Sequence, residues 1–214
     1  MLYLMGMTDK KDFLFRFVPT DIRKELKLDT EALFSTTDQL TADKITKDIL
    51  KFIPKTAHIT DATACIGGSA FSFLQNFSHV LAIEYDKVRF EYLQENISKL
   101  KTTLISSSNT IECRNGDALI ECVKQYQDAI FIDPPWGGPE YKIQQSVELY
   151  LSHTPLSEVC KQFHQYTKYI ILKVPTNFDE QNFIKDTLPF MKQVHKNAQL
   201  RKMNIIIFET QPLI

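Results

Sequence analysis

From Ala57 onward, short β-rich runs alternate with helical stretches, and this alternation leaves few folds open. Ala57–Asp61, Val80–Glu84, Thr110–Arg114, Ala129–Asp133, Tyr169–Val174, Met191–His195 and Met203–Glu209 read as strands. Helical spacing begins at Ser69, fills Lys87–Leu100, runs briefly to Tyr126, and returns over Leu156–Tyr166 and Asp179–Leu188. A strand, a helix and a further strand in repetition build right-handed βαβ units, whose strands lie parallel under helices on both faces. The last two strands have no helix between them and are expected to close the sheet as an antiparallel hairpin. The expected fold class is therefore α/β, a doubly wound, mainly parallel seven-stranded sheet with a small N-terminal helical extension.

The extension covers residues 1–53, and residues 54–214 form the main domain. Within the extension Asp12–Phe17, Asp21–Leu26 and Thr41–Phe52 carry apolar residues at helical spacing, with Thr41 as the expected N-cap of the last and Pro54 as its stop. Hydrophobic residues make up 43% and charged residues 24% of the 214, an ordinary globular balance that allows one sizeable core. Runs such as Tyr169–Val174 fall far short of the ~20 apolar residues a membrane span needs. The start, Met1–Met7, is apolar but has no basic region before it and runs into Asp9-Lys10-Lys11-Asp12, unlike a secretory signal. An intracellular protein without membrane contact is expected. Cys65, Cys113, Cys122 and Cys160 form no C-x-x-C pair and join no histidine cluster, so reduced, mostly buried thiols and no metal are expected. The formal net charge of −1 excludes the broad basic field of a non-specific nucleic-acid binder, so any RNA or DNA must be recognised locally.

Chemistry-bearing residues gather where strands end. Asp61-Ala62-Thr63-Ala64-Cys65-Ile66-Gly67-Gly68-Ser69 joins the first strand to a helix. Ligands of doubly wound sheets bind at such carboxyl ends, where glycine lets the backbone come close. Asp61 could accept a hydrogen bond from a cofactor amino group, although Gly-Gly after a strand is equally read as a tight turn. Glu84 ends the second strand about 20 residues on, where an acidic residue takes ribose hydroxyls. Asp86 reads as the next N-cap. Asp117, after the third strand, could bond an adenine amino group or cap a helix.

Asp133-Pro134-Pro135-Trp136 ends the fourth strand and separates a methyl-group transferase from a dehydrogenase. An exocyclic amine conjugated to a base ring is a poor nucleophile. A carboxylate and a backbone carbonyl that accept its two hydrogens draw the nitrogen towards sp³ geometry and aim its lone pair. Two prolines fix φ and hold those acceptors, so the contribution is orientation and electrostatics. Trp136 offers a stacking face, worth ~1 to 3 kcal/mol for a base.

The loop Asp133-Pro134-Pro135-Trp136-Gly137-Gly138-Pro139-Glu140-Tyr141 resembles that of the trimethylguanosine synthase family, Ser-Pro-Pro-Trp-Gly-Gly-Pro-x-Tyr. That family consists of class I S-adenosylmethionine-dependent methyltransferases that act on the exocyclic N2 of the 7-methylguanosine RNA cap. Lys27-Leu28-Asp29 with Phe34-Ser35-Thr36-Thr37 resembles the family's Leu-Asp-x-x-x-Trp-Phe-Ser-x-Thr. Asp61–Ser69 is similar to Asp-Ala-Phe-Cys-Gly-x-Gly-Gly-Asn, and Lys173-Val174-Pro175-Thr176-Asn177 to Leu-Pro-Arg-Asn. The likeness covers about residues 27 to 178. Asp133 stands where the family has Ser, Leu33 where it has Trp, Cys65 where it has the first glycine, and Thr176 where it has Arg.

The resemblance implies S-adenosyl-L-methionine as cofactor, held by Ser35, Thr37, Asp61, Thr63, Gly67, Glu84, Asp117 and Asp133. It implies Asp133, Pro134 and Trp136 as catalytic residues, and Trp136, Pro139, Tyr141 and Asn177 as substrate-binding. Capped RNA, recognised at the cap by a monomer, is the expected partner. Two alternatives stay open: an adenine-N6 or guanine-N2 methyltransferase of an internal RNA or DNA base, and a non-catalytic cap-binding subunit. Absence of broad positive charge and of a separate target-recognition domain disfavours the first, because an internal base must be found and flipped out.

Overall fold

The computed structural model describes residues 7–104 and 108–211, without the side chains of residues 7–9 and 139. The apolar start over residues 1–6 therefore lies outside the described residues. The chain forms two compact units, Met1–Gly116 and Asp117–Ile214. Its main sheet is seven-stranded, in the order β3-β2-β1-β4-β7-β9-β8. The strands are β1 (His58–Asp61), β2 (His79–Glu84), β3 (Thr110–Asn115), β4 (Gln127–Ile132), β7 (Thr167–Pro175), β8 (Met191–Asn197) and β9 (Met203–Thr210). A separate antiparallel pair, β5 (Tyr150–Leu151) with β6 (Thr154–Pro155), was not foreseen.

The first unit opens with α1 (Met7–Leu14), α2 (Thr20–Glu25), α3 (Ala32–Ser35) and α4 (Gln39–Ile49). Helix α4 buries Ala42, Ile45, Thr46 and Ile49, one stripe at helical spacing. Its cap corrects the expectation of Thr41. Asp38 holds the N-cap position, and its carboxylate accepts from the Thr41 N–H at 3.3 Å and the Thr41 hydroxyl at 2.7 Å. The helix also ends at Ile49, before Pro54 is reached. Strands β1 and β2 pair in parallel from His58 with His79 to Asp61 with Ala82, and β2 pairs in parallel with β3 up to Glu84 with Asn115. Between them lie α5 (Gly68–Asn76) and α6 (Lys87–Lys101). Asp86 caps α6 as expected, accepting from the Arg89 N–H at 2.9 Å.

The second unit contains α7 (Ala118–Glu121), α8 (Leu156–Phe163) and α9 (Glu180–Thr187). Strands β4 and β7 are parallel, while β7 with β9 and β8 with β9 are antiparallel, so the expected closing hairpin is present. The Ile205–Phe208 stretch of β9 is buried and reads as an unbroken apolar run, as a strand covered on both faces must. Phe183 rests on Phe208 at 5.5 Å between ring centroids, closing α9 onto β9.

Candidate active site

In the first unit two buried carboxylates end adjacent parallel strands. Asp61 is 1% exposed and Glu84 8%. Asp61 Oδ1 accepts from the Thr63 N–H at 3.3 Å, starting a turn in which Cys65 (φ +49°) and Gly67 (φ +102°) are left-handed. Glu84 ties this turn to its own strand: Oε2 accepts from the Cys65 N–H at 2.8 Å and Oε1 from the Asp86 N–H at 2.9 Å. The left-handed Cys65 explains in physical terms why the family pattern has glycine there, since a side chain at positive φ costs energy that glycine avoids.

A segment from residue 27 to 37 lies across that turn. The fully buried Asn96 accepts from the Lys27 N–H at 2.7 Å and donates to the carbonyls of Lys27 at 2.9 Å and Ile66 at 3.2 Å. The Thr36 hydroxyl meets the Cys65 thiol at 3.5 Å. At Gly68 a Cβ would stand 2.4 Å from the Thr37 carbonyl oxygen, so only glycine permits this approach. Arg89 sits 2.8 Å from Glu31, 3.5 Å from Asp29 and 3.6 Å from Glu84, a cationic bridge between the segment and the strand carboxylate. Sequence reasoning assigned no role to Asn96 or Arg89. Of the expected cofactor residues, the structure brings Thr37, Asp61, Thr63, Gly67 and Glu84 around this turn, whereas Ser35 ends α3 with an exposed side chain.

The second unit carries the other group. Asp117 caps α7, accepting from the Leu119 N–H at 2.9 Å, and accepts from the Ser152 hydroxyl at 3.0 Å. Asp133 follows β4, and its Oδ2 is 2.5 Å from the ammonium of Lys173. The pairing follows from register, because Ile132 of β4 lies opposite Leu172 of the parallel β7. Pro134 is buried and Pro135 exposed. Trp136 meets Tyr141 edge-on, with centroids 5.2 Å apart at 81°, while the Lys173 ammonium stands 5.4 Å from the Trp136 centroid. The indole N–H of Trp136 is buried and has no hydrogen-bond partner among the described residues. Gly137 (φ +84°) and Gly138 (φ +75°) turn the chain into a 3₁₀ helix over Gly138–Ile143. Asn177 staples that helix, donating from Nδ2 to the carbonyls of Tyr141 and Gln144, each at 2.8 Å. Burial pushes the Tyr141 phenol above its ordinary pKa. The expected role of Pro139 falls on a side chain outside the described residues. Lys173 was missed as a site residue, although a lysine inside the apolar run Tyr169–Val174 signals a partner, since buried lysines are rarely unpaired.

A family model for the RNA cap guanine-N2 methyltransferases matches residues 56–209. The chain belongs to the RNA cap guanine-N2 methyltransferase family. The chain is 34% identical over 154 residues to the uncharacterized protein L320 of Acanthamoeba polyphaga mimivirus, covering 70% of this chain and 57% of that one. To the trimethylguanosine synthase of Schizosaccharomyces pombe it is 28% identical over 158 residues, covering 71% and 64%. The chain thus spans about six-tenths of the length of these two relatives: 57% and 64%. In fold it is similar to a Listeria monocytogenes protein described as a class I S-adenosylmethionine-dependent methyltransferase, with TM-score 0.59, 13% identity, 100% of this chain and 71% of that one covered.

Family and fold imply S-adenosylmethionine. The first unit fits it: the cofactor presents an amino group and ribose hydroxyls as donors, and Asp61 and Glu84 are buried acceptors beside a turn kept free of side-chain bulk at Gly67 and Gly68. Among the described residues no group of three or more His, Cys, Asp or Glu could hold a metal, and no helix is long and apolar enough to cross a membrane.

Burial raises the Glu84 pKa above the ordinary carboxylate value, opposed by the backbone N–H of Asp86 and the charge of Arg89. Because the folded value is the higher one, Glu84's contribution to stability is fully present below the unfolded pKa and is lost as pH rises through the folded one. A ribose hydroxyl donates more strongly to an ionised carboxylate than to the neutral acid. S-adenosylmethionine affinity is therefore expected to decline on acidification at a pH above the usual carboxylate range. Calorimetric titrations across mildly acidic pH check this, and Glu84→Ala should bind weakly with that pH limb gone. A wild-type affinity that stays flat through this range would remove Glu84 from the cofactor contact.

Proposed function

We propose that this chain transfers a methyl group from S-adenosylmethionine to the exocyclic N2 of a 7-methylguanosine RNA cap. The observation that carries the reading is Asp133 followed by Pro134-Pro135-Trp136 at the end of β4, with Trp136 braced edge-on by Tyr141. Bound S-adenosylmethionine supplies an electrophilic sulfonium methyl. Asp133 and the Pro134 carbonyl accept the hydrogens of the amine and aim its lone pair, Trp136 takes the base on its face, and Asn177 keeps the loop in place. When the methyl passes from sulfur to nitrogen its S–C bond would break, leaving neutral S-adenosylhomocysteine, and the nitrogen would give up one proton to the Asp133 carboxylate or to water. Asp61 and Glu84 hold the cofactor's amino group and ribose, and Asp117 bonds the adenine amino group. Residues 1–53 act as an extension that completes the cofactor pocket of the first unit; the clamp of Asn96 on Lys27 and Ile66 supports this. Capped RNA, bound locally inside the cell by a monomer, is the substrate we infer.

The test is to incubate the protein with labelled methyl donor and 7-methylguanosine cap analogue, unmethylated cap or uncapped RNA, and to locate the label by mass spectrometry. Label on N2 of the methylated cap is expected. A cationic base on an indole gains ~0.5 to 2 kcal/mol over a neutral one, so 7-methylguanosine triphosphate should bind several-fold tighter than GTP. Trp136→Phe should reduce that preference and Trp136→Ala remove most of it. Label in uncapped RNA or DNA, with a steep salt dependence, would favour the internal-base reading instead; Asp133 in place of the family's Ser is the feature that keeps it in view.

A further inference from the structure

We propose that Lys173 is a positioning and specificity-determining residue for the base pocket, setting the orientation and the charge of Asp133 and the affinity of Trp136 for cations. The inference rests on the preceding reading of Asp133 and Trp136. The geometry places one ammonium between two groups of the pocket: 2.5 Å from Asp133 Oδ2 and 5.4 Å from the Trp136 ring centroid. Both charged groups of the pair are largely withdrawn from water, with side-chain exposures of 7% for Lys173 and 14% for Asp133, so solvent screens the ammonium weakly. Two consequences follow. A charge-assisted bond to one carboxylate oxygen stops the group from rotating, which fixes the direction in which an amine can be held. The negative charge of Asp133, which would draw any cationic base, is offset by the positive charge of Lys173, and the indole's electron-rich face is already shared with an ammonium.

Lys173 therefore tempers the attraction for a cationic base and converts Asp133 from a charge trap into an aimed acceptor. Removing the ammonium should strengthen ground-state binding of a cation while weakening turnover, a split that loss of packing does not produce. Lys173→Arg keeps the charge and should preserve most of both.

The experiment uses the full chain and its only tryptophan, Trp136, as fluorophore. Titrations with 7-methylguanosine, a cationic nucleoside, and with guanosine, a neutral one, avoid phosphate contacts. For Lys173→Met we expect the ratio of affinities to move several-fold towards the cation, the free-protein emission to shift, and kcat on the best substrate to fall at least tenfold. Lys173→Arg should lie near wild type. In Asp133→Asn/Lys173→Met, where the charges are removed together, the affinity ratio should return towards wild type while turnover stays low. Should Lys173→Met fail to fold, the arginine and double variants carry the test. A double variant whose ratio stays at the Lys173→Met value, or a Lys173→Arg protein whose ratio shifts as far as that of Lys173→Met, would overturn the proposal, as would a Lys173→Met protein with wild-type ratio and kcat. If wild type methylates no guanine, the function above fails, yet the two titrations still read Lys173.

Discussion

Replacing Asp133 with alanine is expected to lower kcat about 10²-fold or more, while the affinity for S-adenosylmethionine stays near wild type, the mark of an interaction made mainly in the transition state. An acceptor that helps pyramidalise the amine earns little before the nitrogen begins to move. The structure adds a second effect. Lys173, 7% exposed, would be left beside a methyl group where a carboxylate had been. Breaking a fully buried ion pair from one side costs about 3 to 5 kcal/mol and this partly buried one less, so Asp133→Ala should also melt below wild type. Rates must then be read at a temperature where the variant is folded, which circular dichroism checks. Asp133→Ala/Lys173→Met removes both charges and should recover much of the lost stability and none of the lost turnover. Asp133→Ser restores the family's usual residue and should retain more activity than alanine. Equal kcat in wild type and Asp133→Ala would take this residue out of the mechanism.

The double variant separates two things that one buried lysine obscures, and it shows where sequence reasoning reaches its limit. The parallel strands were legible because each is a short apolar run ending in a polar turn, and Asp61, Glu84 and Asp133 lie at or just past those ends as expected. Partners between strands were not legible. That Lys173 faces Asp133 depends on the register of β4 against β7, which no local pattern encodes. The β5–β6 hairpin escaped for a different reason. Its turn residues Ser152 (φ +48°) and His153 (φ +65°) adopt the left-handed conformation usually signalled by Asn-Gly, so the motif is hidden by its own unusual chemistry. Asn96 likewise reads as one polar position on α6, and only the packed segment makes it a buried clamp. Thr41 was a reasonable cap by residue type, but Asp38 offers a carboxylate that reaches both the Thr41 N–H and its hydroxyl.

Gly68→Ala is expected to weaken S-adenosylmethionine binding at least tenfold and to lower the melting temperature, by an argument of space and not of backbone conformation. An added Cβ would lie 2.4 Å from the Thr37 carbonyl oxygen and 2.7 Å from Thr36 Cγ2. The nearer atom belongs to the main chain, so no rotamer change relieves the contact; overpacking of this kind costs about 1 to 3 kcal/mol. Gly68 is the first residue of α5, where the helix preference of alanine over glycine is weaker than in a helix interior, so the net loss chiefly measures how firmly the segment is held. If residues 35–37 contact the cofactor, as proposed, pushing them off the turn removes those contacts and the Thr36–Cys65 hydrogen bond together. Gly137→Ala is the matched control. It meets nothing within 4 Å but sits at φ +84°, so it should cost only the backbone strain of a left-handed residue, about 1 to 2 kcal/mol, and leave cofactor affinity alone. Thr36→Ser removes Cγ2 but not the carbonyl, and should not rescue Gly68→Ala. Thermal melts with and without S-adenosylmethionine, and calorimetry on each variant, read both quantities. Wild-type affinity in Gly68→Ala would detach the 35–37 segment from the cofactor site and leave Asp61 and Glu84 as the contacts of that unit.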